Sequence, residues 1–218
     1  MRTATRILAA IASSITLAGA AEASIIISEV DPSSSGNGSV NADWFELTNT
    51  GLSAVTITGW KVDDNSNSFG SAVALSGITS IAPGQSVIFA ETSNLAATQA
   101  LFVNAWFGGI TPAGFTMGSY SGSGIGFGTG GDAVNIYDGA GVLQANVVFG
   151  AATAGFTFDN RAGINGTISQ LSAAGVNGAF VGVSDGRVGS PSVIPVPAAA
   201  WLLGSGLGLL GALRRRAG

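Results

Sequence analysis

The chain has 218 residues, contains no cysteine and no histidine, and carries a formal net charge of −4 at pH 7. These counts exclude a disulfide framework, and they remove both the commonest general base and the commonest ligand of transition metals. The excess of acidic over basic residues also disfavours binding to the phosphate backbone of nucleic acids.

The N-terminus has the pattern of a secretory signal peptide. Arg2 and Arg6 precede an apolar stretch over residues 7–17, and the small residues that a signal peptidase requires end at Ala23. This order of charge, apolar run and small residues predicts cleavage between Ala23 and Ser24. We therefore expect the protein to be exported.

Removal of residues 1–23 would leave one domain over residues 24–190, followed by a tail over residues 191–218. Between Ser24 and Pro195 there are three basic and eleven acidic residues, which gives a net charge of −8. A domain with this charge is expected to stay dispersed in solution and to avoid nucleic acids.

Short β-prone runs alternate with turn-forming residues throughout the domain. In one run, Phe45 and Leu47 alternate with Glu46 and Thr48, a period of two that places one face in a core and the other in water. Several such strands with turns at close spacing predict an all-β, immunoglobulin-like antiparallel β-sandwich. The predicted strands are residues 25–30, 44–49, 55–62, 86–91, 133–137 and 142–149.

A long insertion over residues 92–130 interrupts the pattern of short loops. Such length requires local structure or a special role. Its best helical pattern covers Leu95–Phe107, where Leu101, Phe102 and Ala105 can face a sheet. We predict one helix in this segment.

Five motifs mark strands and turns along the domain. They are ISEV at residues 27–30, DWFELTNTG at residues 43–51, ITGWKVDD at residues 57–64, APGQSV at residues 82–87 and GDAVNIYD at residues 131–138. Together they resemble the lamin-tail domain from about residue 25 to residue 150. The resemblance implies an immunoglobulin-like β fold of lamin-tail type and no enzymatic activity in the domain itself.

A cluster of oxygen-bearing side chains follows the third predicted strand. Asp63, Asp64 and Asn65 could bind calcium, with Asp31 or Glu91 helping to complete the roughly six to eight oxygen ligands that this ion prefers. The spacing differs from that of an EF-hand loop. The alternative interpretation is a turn in which these side chains bond to their own backbone.

Glu29 and Glu46 are candidates for an acid pair of the glycoside-hydrolase kind. Strand alternation instead favours solvated positions for both, or pairing with the few basic residues. A hydrolytic triad would also lack its base, because histidine and cysteine are absent. We therefore predict no catalytic residue and no cofactor other than calcium.

Aromatic residues are candidates for stacking on sugar rings. Trp44 and Trp60 lie in predicted strands, and Trp60 follows a glycine in a run that is expected to be packed. Trp106 and Phe107 in the insertion are the better candidates for an exposed glycan platform.

The tail combines two prolines, an apolar run and three arginines. Residues 198–213 contain no charge and, at about 1.5 Å per residue, would form a helix of roughly 24 Å. Arg214, Arg215 and Arg216 would stay on the cytoplasmic side of the membrane. The chain is thus expected to contact the membrane through this helix before processing.

The residues before the apolar run are Ile194, Pro195, Val196, Pro197 and Ala198. With the run and the arginines they resemble the PEP-CTERM sorting tail in its V-P-L-P-A variant, with isoleucine replacing the first valine and valine replacing the leucine. The resemblance implies recognition by an exosortase in a Gram-negative bacterium that exports polysaccharide. The alternative is an ordinary C-terminal anchor that is never cut.

These features predict a non-enzymatic protein of the cell surface or extracellular matrix, processed by a signal peptidase and an exosortase after transient anchoring in the inner membrane. Exopolysaccharide is the expected partner. The alternatives are a calcium-dependent or glycan-binding adhesin, and an extracellular hydrolase.

Overall fold

The computed structural model describes residues 25–32, 40–122 and 124–192. These residues form mostly β-strand with one helix, as the sequence predicts. In chain order the elements are β1 (Ile25–Asp31), β2 (Trp44–Asn49), β3 (Val55–Thr56), β4 (Lys61–Asp63), β5 (Val73–Ala74), β6 (Ser80–Ile81), β7 (Ser86–Glu91), α1 (Leu95–Phe107), β8 (Met117–Tyr120), β9 (Asp132–Tyr137), β10 (Leu143–Phe149), β11 (Phe158–Asp159), β12 (Gly166–Ile168), β13 (Phe180–Val181) and β14 (Val188–Gly189).

Two five-stranded sheets organise the described residues. The first sheet has the strand order β11-β1-β2-β7-β8, and the second has the order β12-β10-β9-β4-β5. Neighbouring strands are antiparallel except in the pairs β7-β8 and β10-β12, which are parallel. This arrangement agrees with the predicted all-β sandwich of immunoglobulin type.

The main core lies between the inner faces of the two sheets. Phe45 and Phe89 of the first sheet stack with ring centroids 5.6 Å apart, and Val134 and Ile136 reach the same cluster from the second sheet. Burial of one side chain of this size stabilises the fold by about 1.5–3 kcal/mol. The core therefore fixes how the two sheets face each other.

A second core covers the outer face of the first sheet. Helix α1 places Phe102, Ala105 and Trp106 in one cluster with Trp44 and Ile88. All six residues of β2 are buried. The expectation that one face of this strand lies in water is wrong, because α1 covers Trp44 and residues 152–192 cover Glu46.

Helix α1 has the bounds that the sequence predicts. Asn94 caps its N-terminus by accepting a hydrogen bond from the N–H of Ala97 at 3.3 Å, and Gly108 ends it in a left-handed conformation at φ +64°. Phe102 faces the sheet as expected, whereas Leu101 is 46% exposed. The prediction that Leu101 faces the sheet is wrong, because its neighbours on α1 fill the interface between the helix and the first sheet.

The strand predicted at residues 55–62 is divided into β3 and β4. Gly59 adopts φ +80°, and the N–H of Trp60 donates to the carbonyl of Ile57 at 3.1 Å, which turns the chain. Only β4 joins the second sheet, because β3 pairs with β6 instead. Trp60 is buried, as predicted.

Residues 152–192, named here the closing segment, complete the structure. The segment adds β11 to the first sheet and β12 to the second. Its later part lies beside α1, where Phe180 packs on Trp106 with centroids 5.8 Å apart and the N–H of Ser184 donates to the carbonyl of Ala105 at 3.0 Å. The closing segment thus shares the outer face of the first sheet with α1.

Candidate functional site

Glu29 and Glu46 face each other across β1 and β2, and both are fully buried. Two groups of the closing segment donate to Glu29, the hydroxyl of Thr157 at 2.5 Å and the N–H of Ser190 at 2.7 Å. The expectation that both glutamates are solvated is therefore wrong. Alternation places them correctly on the outer face, but the closing segment covers that face.

Glu46 is satisfied by a different set of partners. The hydroxyl of Ser28 and the N–H of Ser192 each donate to it at 2.6 Å. The guanidinium of Arg161 forms an ion pair with its carboxylate at 3.3 Å. The alternative that a glutamate of this pair binds one of the few basic residues is thus confirmed for Glu46.

The environment of the pair changes its protonation. Burial raises the pKa of Glu29 to about 8, and the charge of Glu46 acts in the same direction. Burial also raises the pKa of Glu46, while Arg161 opposes this rise. At neutral pH burial and the charge of Glu46 favour a neutral Glu29, whereas the ion pair with Arg161 favours the charged form of Glu46. Because neither side chain is exposed, the pair cannot reach a sugar without displacement of the closing segment.

A second buried ion pair holds the closing segment to β1. Arg187 pairs with Asp31, and its guanidinium lies 5.8 Å from the ring centroid of Trp106. Burial raises the pKa of Asp31 to about 6, although Arg187 opposes the shift. Asp31, which the sequence suggests as an additional calcium ligand, is therefore used in this ion pair.

The predicted glycan platform in the insertion is not exposed. Trp106 is fully buried, with the rings of Trp44 and Phe180 at 6.0 and 5.8 Å. Phe107 is partly buried and also packs on Phe180 at 5.8 Å. The prediction is wrong because α1 turns this face toward the first sheet. Trp60 is buried as well, so none of these rings presents a free face.

The predicted calcium loop is organised by its own hydrogen bonds. Asp63 accepts from the hydroxyl of Ser66 and the N–H of Ser68, both at 2.7 Å, and the N–H of Ser66 donates to Asp64 at 3.0 Å. This pattern is the turn of the alternative interpretation. Calcium at Asp63, Asp64 and Asn65 stays a prediction. Among the described residues, no three acidic side chains are grouped closely enough to hold a metal ion by themselves.

A different acidic group lies at one end of the sandwich. The N–H of Glu91 donates to the carbonyl of Asp43 at 2.8 Å, and Tyr120 is the strand partner of Glu91 on β8. By alternation with Phe45 and Phe89, these side chains point to the inner side of the first sheet. The sequence shows Asp43 just before β2 and Glu91 at the end of β7. Only the strand order of the sheet shows that the two acids are neighbours.

A surface pocket of about 430 Å³ opens in the closing segment. Its charged side chains are already engaged, since Asp159 accepts from the amide of Asn177 at 2.7 Å and Arg161 binds Glu46. None of the residues that the sequence suggests as sites lines this pocket. The pocket therefore adds no acid–base pair.

The predicted processing residues Ala23 and Ser24, the motif at residues 194–198 and the arginines at residues 214–216 lie outside the described residues. Within the described ranges, no helix has the length and apolar character that crossing a membrane requires. The signal peptide and the sorting tail stay predictions.

The chain was compared with known families and proteins. A family model described as Lamin Tail Domain matches residues 18–151. The match contains all five motifs and ends just before the closing segment. No curated protein and no solved structure matches the chain.

Proposed function

Because the chain belongs to the lamin tail domain family, we propose that it is a non-enzymatic β-sandwich module that acts at the cell surface or in the extracellular matrix. The main support for the proposal is the burial and hydrogen bonding of Glu29 and Glu46. These two carboxyl groups are the best candidates for catalysis in the sequence, and both hold the closing segment in place. A pair that is used in this way serves stability and leaves no general acid exposed to a substrate.

The proposal includes export and sorting. Cleavage after Ala23 would release the domain from its signal peptide, and the tail would present the motif at residues 194–198 to an exosortase of a Gram-negative bacterium. The last described residue, Ser192, is bound to Glu46 through its N–H. The motif begins two residues after this point in the sequence.

The partner proposed for the processed module is the exopolysaccharide of the same cell. The excess of eleven acidic over three basic residues between Ser24 and Pro195 favours a dispersed component of a hydrated matrix. The buried aromatic rings do not supply a stacking platform. We therefore favour association with the matrix over recognition of one sugar at an aromatic site.

Mass spectrometry of the mature protein from its producing cells tests the sorting step. We expect a chain that starts at Ser24 and ends within residues 195–200. Replacement of both Pro195 and Pro197 by alanine should leave the arginines at residues 214–216 attached, whereas the matched variant Pro112→Ala should be processed normally. Intact arginines on most molecules of the unaltered protein would reject exosortase processing in favour of a permanent anchor.

The non-enzymatic part has a separate test. The full-length chain, purified in detergent, should release no product from a panel of polysaccharides, esters and phosphodiesters. Turnover of any of them that Glu29→Gln or Glu46→Gln abolishes would establish the hydrolase alternative. Fractionation of the producing culture completes the test, because the processed chain should be recovered with the surface or matrix polysaccharide.

A further inference from the structure

One end of the sandwich concentrates negative charge on the inner side of the first sheet. Asp43 is 3% exposed, and Glu91 on the next strand is partly buried. Burial raises the pKa of Glu91, and the charge of Asp43 raises it further. No positive charge among the described residues opposes this shift. Glu91 is thus partly open to solvent and forms no ion pair among the described residues, so an ion from solution can reach its carboxylate.

Both carboxylates converge on one point of the glycine-rich loop that precedes β9. A Cβ placed on Gly126 would lie 3.7 Å from Oε2 of Glu91 and 3.9 Å from Oδ2 of Asp43. The N–H of Phe127 donates to the same Asp43 oxygen at 2.7 Å. The loop thus fixes the Asp43 carboxylate, and the glycine lets the backbone come close to both acids without a side chain between them.

The hydroxyl of Tyr120 is a second, independent sign of a ligand. Tyr120 is 1% exposed, and its hydroxyl has no hydrogen-bond partner among the described residues. Tyr120 is the strand partner of Glu91, and its ring lies 5.8 Å from the ring of Phe127, whose N–H binds Asp43, so the tyrosine lies at the same end of the sheet as the two acids. Burial raises the pKa of Tyr120 well above its ordinary value, and the nearby carboxylates act in the same direction. A buried hydroxyl without a partner costs about 1–3 kcal/mol, and such groups are usually satisfied by ordered water or an ion.

The third acid of this region has a structural role. Asp132 accepts the N–H of Gly128 at 2.6 Å and the N–H of Asn65 at 3.1 Å. Its oxygens therefore bind the backbone of two loops. Glu91, by contrast, accepts no side-chain hydrogen bond from the residues that the structure describes.

We propose that Asp43 and Glu91 form the carboxylate pair of a calcium site, in which a water bound to the ion satisfies the hydroxyl of Tyr120. Calcium accepts carboxylate, backbone carbonyl and water oxygens in flexible geometry. Two carboxylates neutralise its charge, and the adjoining loop and water complete its coordination. Magnesium fits less well because it demands a regular octahedron and retains most of its water. This site is distinct from the loop at Asp63, Asp64 and Asn65.

Calcium titration of the chelator-treated, full-length chain in detergent, followed by calorimetry, tests the assignment. We expect a single site, weakened by roughly tenfold or more in Glu91→Gln, because the charge of the ligands sets calcium affinity. Asp138→Asn is the matched control, since Asp138 is another partly buried acid, directly after β9, that belongs to neither calcium candidate. It should leave the affinity unchanged, and the same titration with magnesium should show weaker binding.

Several outcomes would overturn the proposal. They are no calcium binding at millimolar ion, an unchanged affinity in Glu91→Gln, or a loss in Asp64→Asn that places the ion in the other loop. Asp43→Asn should also lose binding, and circular dichroism must show that it is folded because Asp43 holds the loop at Phe127. If Asp43→Asn is unfolded, the affinity of Glu91→Gln alone decides whether the site exists. Tyr120→Phe should weaken binding by less than Glu91→Gln, and an unchanged affinity would exclude the hydroxyl from the site.

Discussion

Two pairs of acids on neighbouring strands of the same sheet have opposite surroundings. Glu29 and Glu46 lie on the outer face, where the closing segment supplies hydroxyl groups, backbone N–H groups and Arg161. Asp43 and Glu91 lie at one end of the inner face, where Asp43 binds a loop N–H and no donor from the described part of the chain holds the Glu91 carboxylate. Both pairs have a cross-strand geometry, so geometry alone does not separate them.

The difference between the pairs shows how burial and partners together assign a role. A buried carboxyl group that is fully hydrogen-bonded stabilises the fold, and its removal leaves its partners unsatisfied. A carboxyl group that is only repelled by its neighbour weakens the fold until an ion binds. The first pair is therefore expected to control stability, and the second is expected to control ligand binding.

The largest expected effect comes from Glu29 and Glu46, named here the covered pair. Glu46→Ala should lower the free energy of unfolding by about 3–5 kcal/mol, because it leaves the guanidinium of Arg161 buried without its carboxylate. Urea unfolding followed by circular dichroism measures this value. A loss of less than about 1 kcal/mol would mean that the closing segment is held mainly by its apolar contacts.

The next effect is a dependence of stability on pH that the covered pair produces. The unfolded chain releases the Glu29 proton near the ordinary glutamate pKa of 4.5, whereas burial raises the pKa in the folded chain to about 8. Between these values the folded state binds more protons, so the free energy of unfolding should fall as pH rises, by up to about 1.4 kcal/mol per pH unit for one proton. The contribution of the Glu29 proton to the free energy of unfolding is complete below pH 4.5 and is lost above about pH 8.

Glu29→Gln provides the control for this pH dependence. The amide keeps an oxygen that can accept the N–H of Ser190, but it has no proton to release. Unfolding curves from pH 5 to pH 8 should therefore show a smaller slope in the variant. Residual slope in the same direction is expected from Glu46 and Asp31, because burial raises both of their pKa values. An identical slope in both proteins would contradict the assignment of the proton to Glu29.

Asp43 and Glu91, named here the open pair, should respond to calcium instead. At an ion concentration ten times the dissociation constant, binding to the folded state alone stabilises it by about 1.4 kcal/mol. Thermal unfolding with and without calcium should show a higher Tm for the unaltered chain and for Asp138→Asn, but not for Glu91→Gln. A calcium-dependent rise in Tm that Glu91→Gln retains would break the contrast between the pairs.

The smallest effect sharpens the comparison most directly. Without calcium, Glu91→Ala should change the free energy of unfolding by less than about 0.5 kcal/mol, because no hydrogen bond is lost and the repulsion from Asp43 is removed. Glu46→Ala is the matched variant in the covered pair, and its loss of unfolding free energy is compared with that of Glu91→Ala. Equal losses from the two variants in urea would show that the pairs have the same structural role.

The longer elements could be predicted because their signals are local, whereas the short strands β5, β6 and β11–β14 and the four-residue β8 were not predicted. Alternation identified β2, a β-prone run after a turn identified β7, helical spacing identified α1, and the motif pattern identified the lamin tail domain that the family comparison confirms. The error at residues 55–62 has a local cause too, because Gly59 turns the chain inside an apolar run. The site could be predicted less well, since acids in turns are frequent and their neighbours across a sheet cannot be read from one strand.

The sequence by itself determined the family, the strand-forming segments, the helix and the placement of Glu29 and Glu46 on the face opposite to Phe45. These depend on periodicity and on short motifs, which act over a few residues. Only the tertiary structure decided that the closing segment covers this face, that Trp106 is buried, and that Asp43, Glu91 and Tyr120 meet on neighbouring strands. The physical reason is that burial and charge pairing depend on contacts between segments that are distant in the chain, and a local pattern carries no information about which segment will provide them.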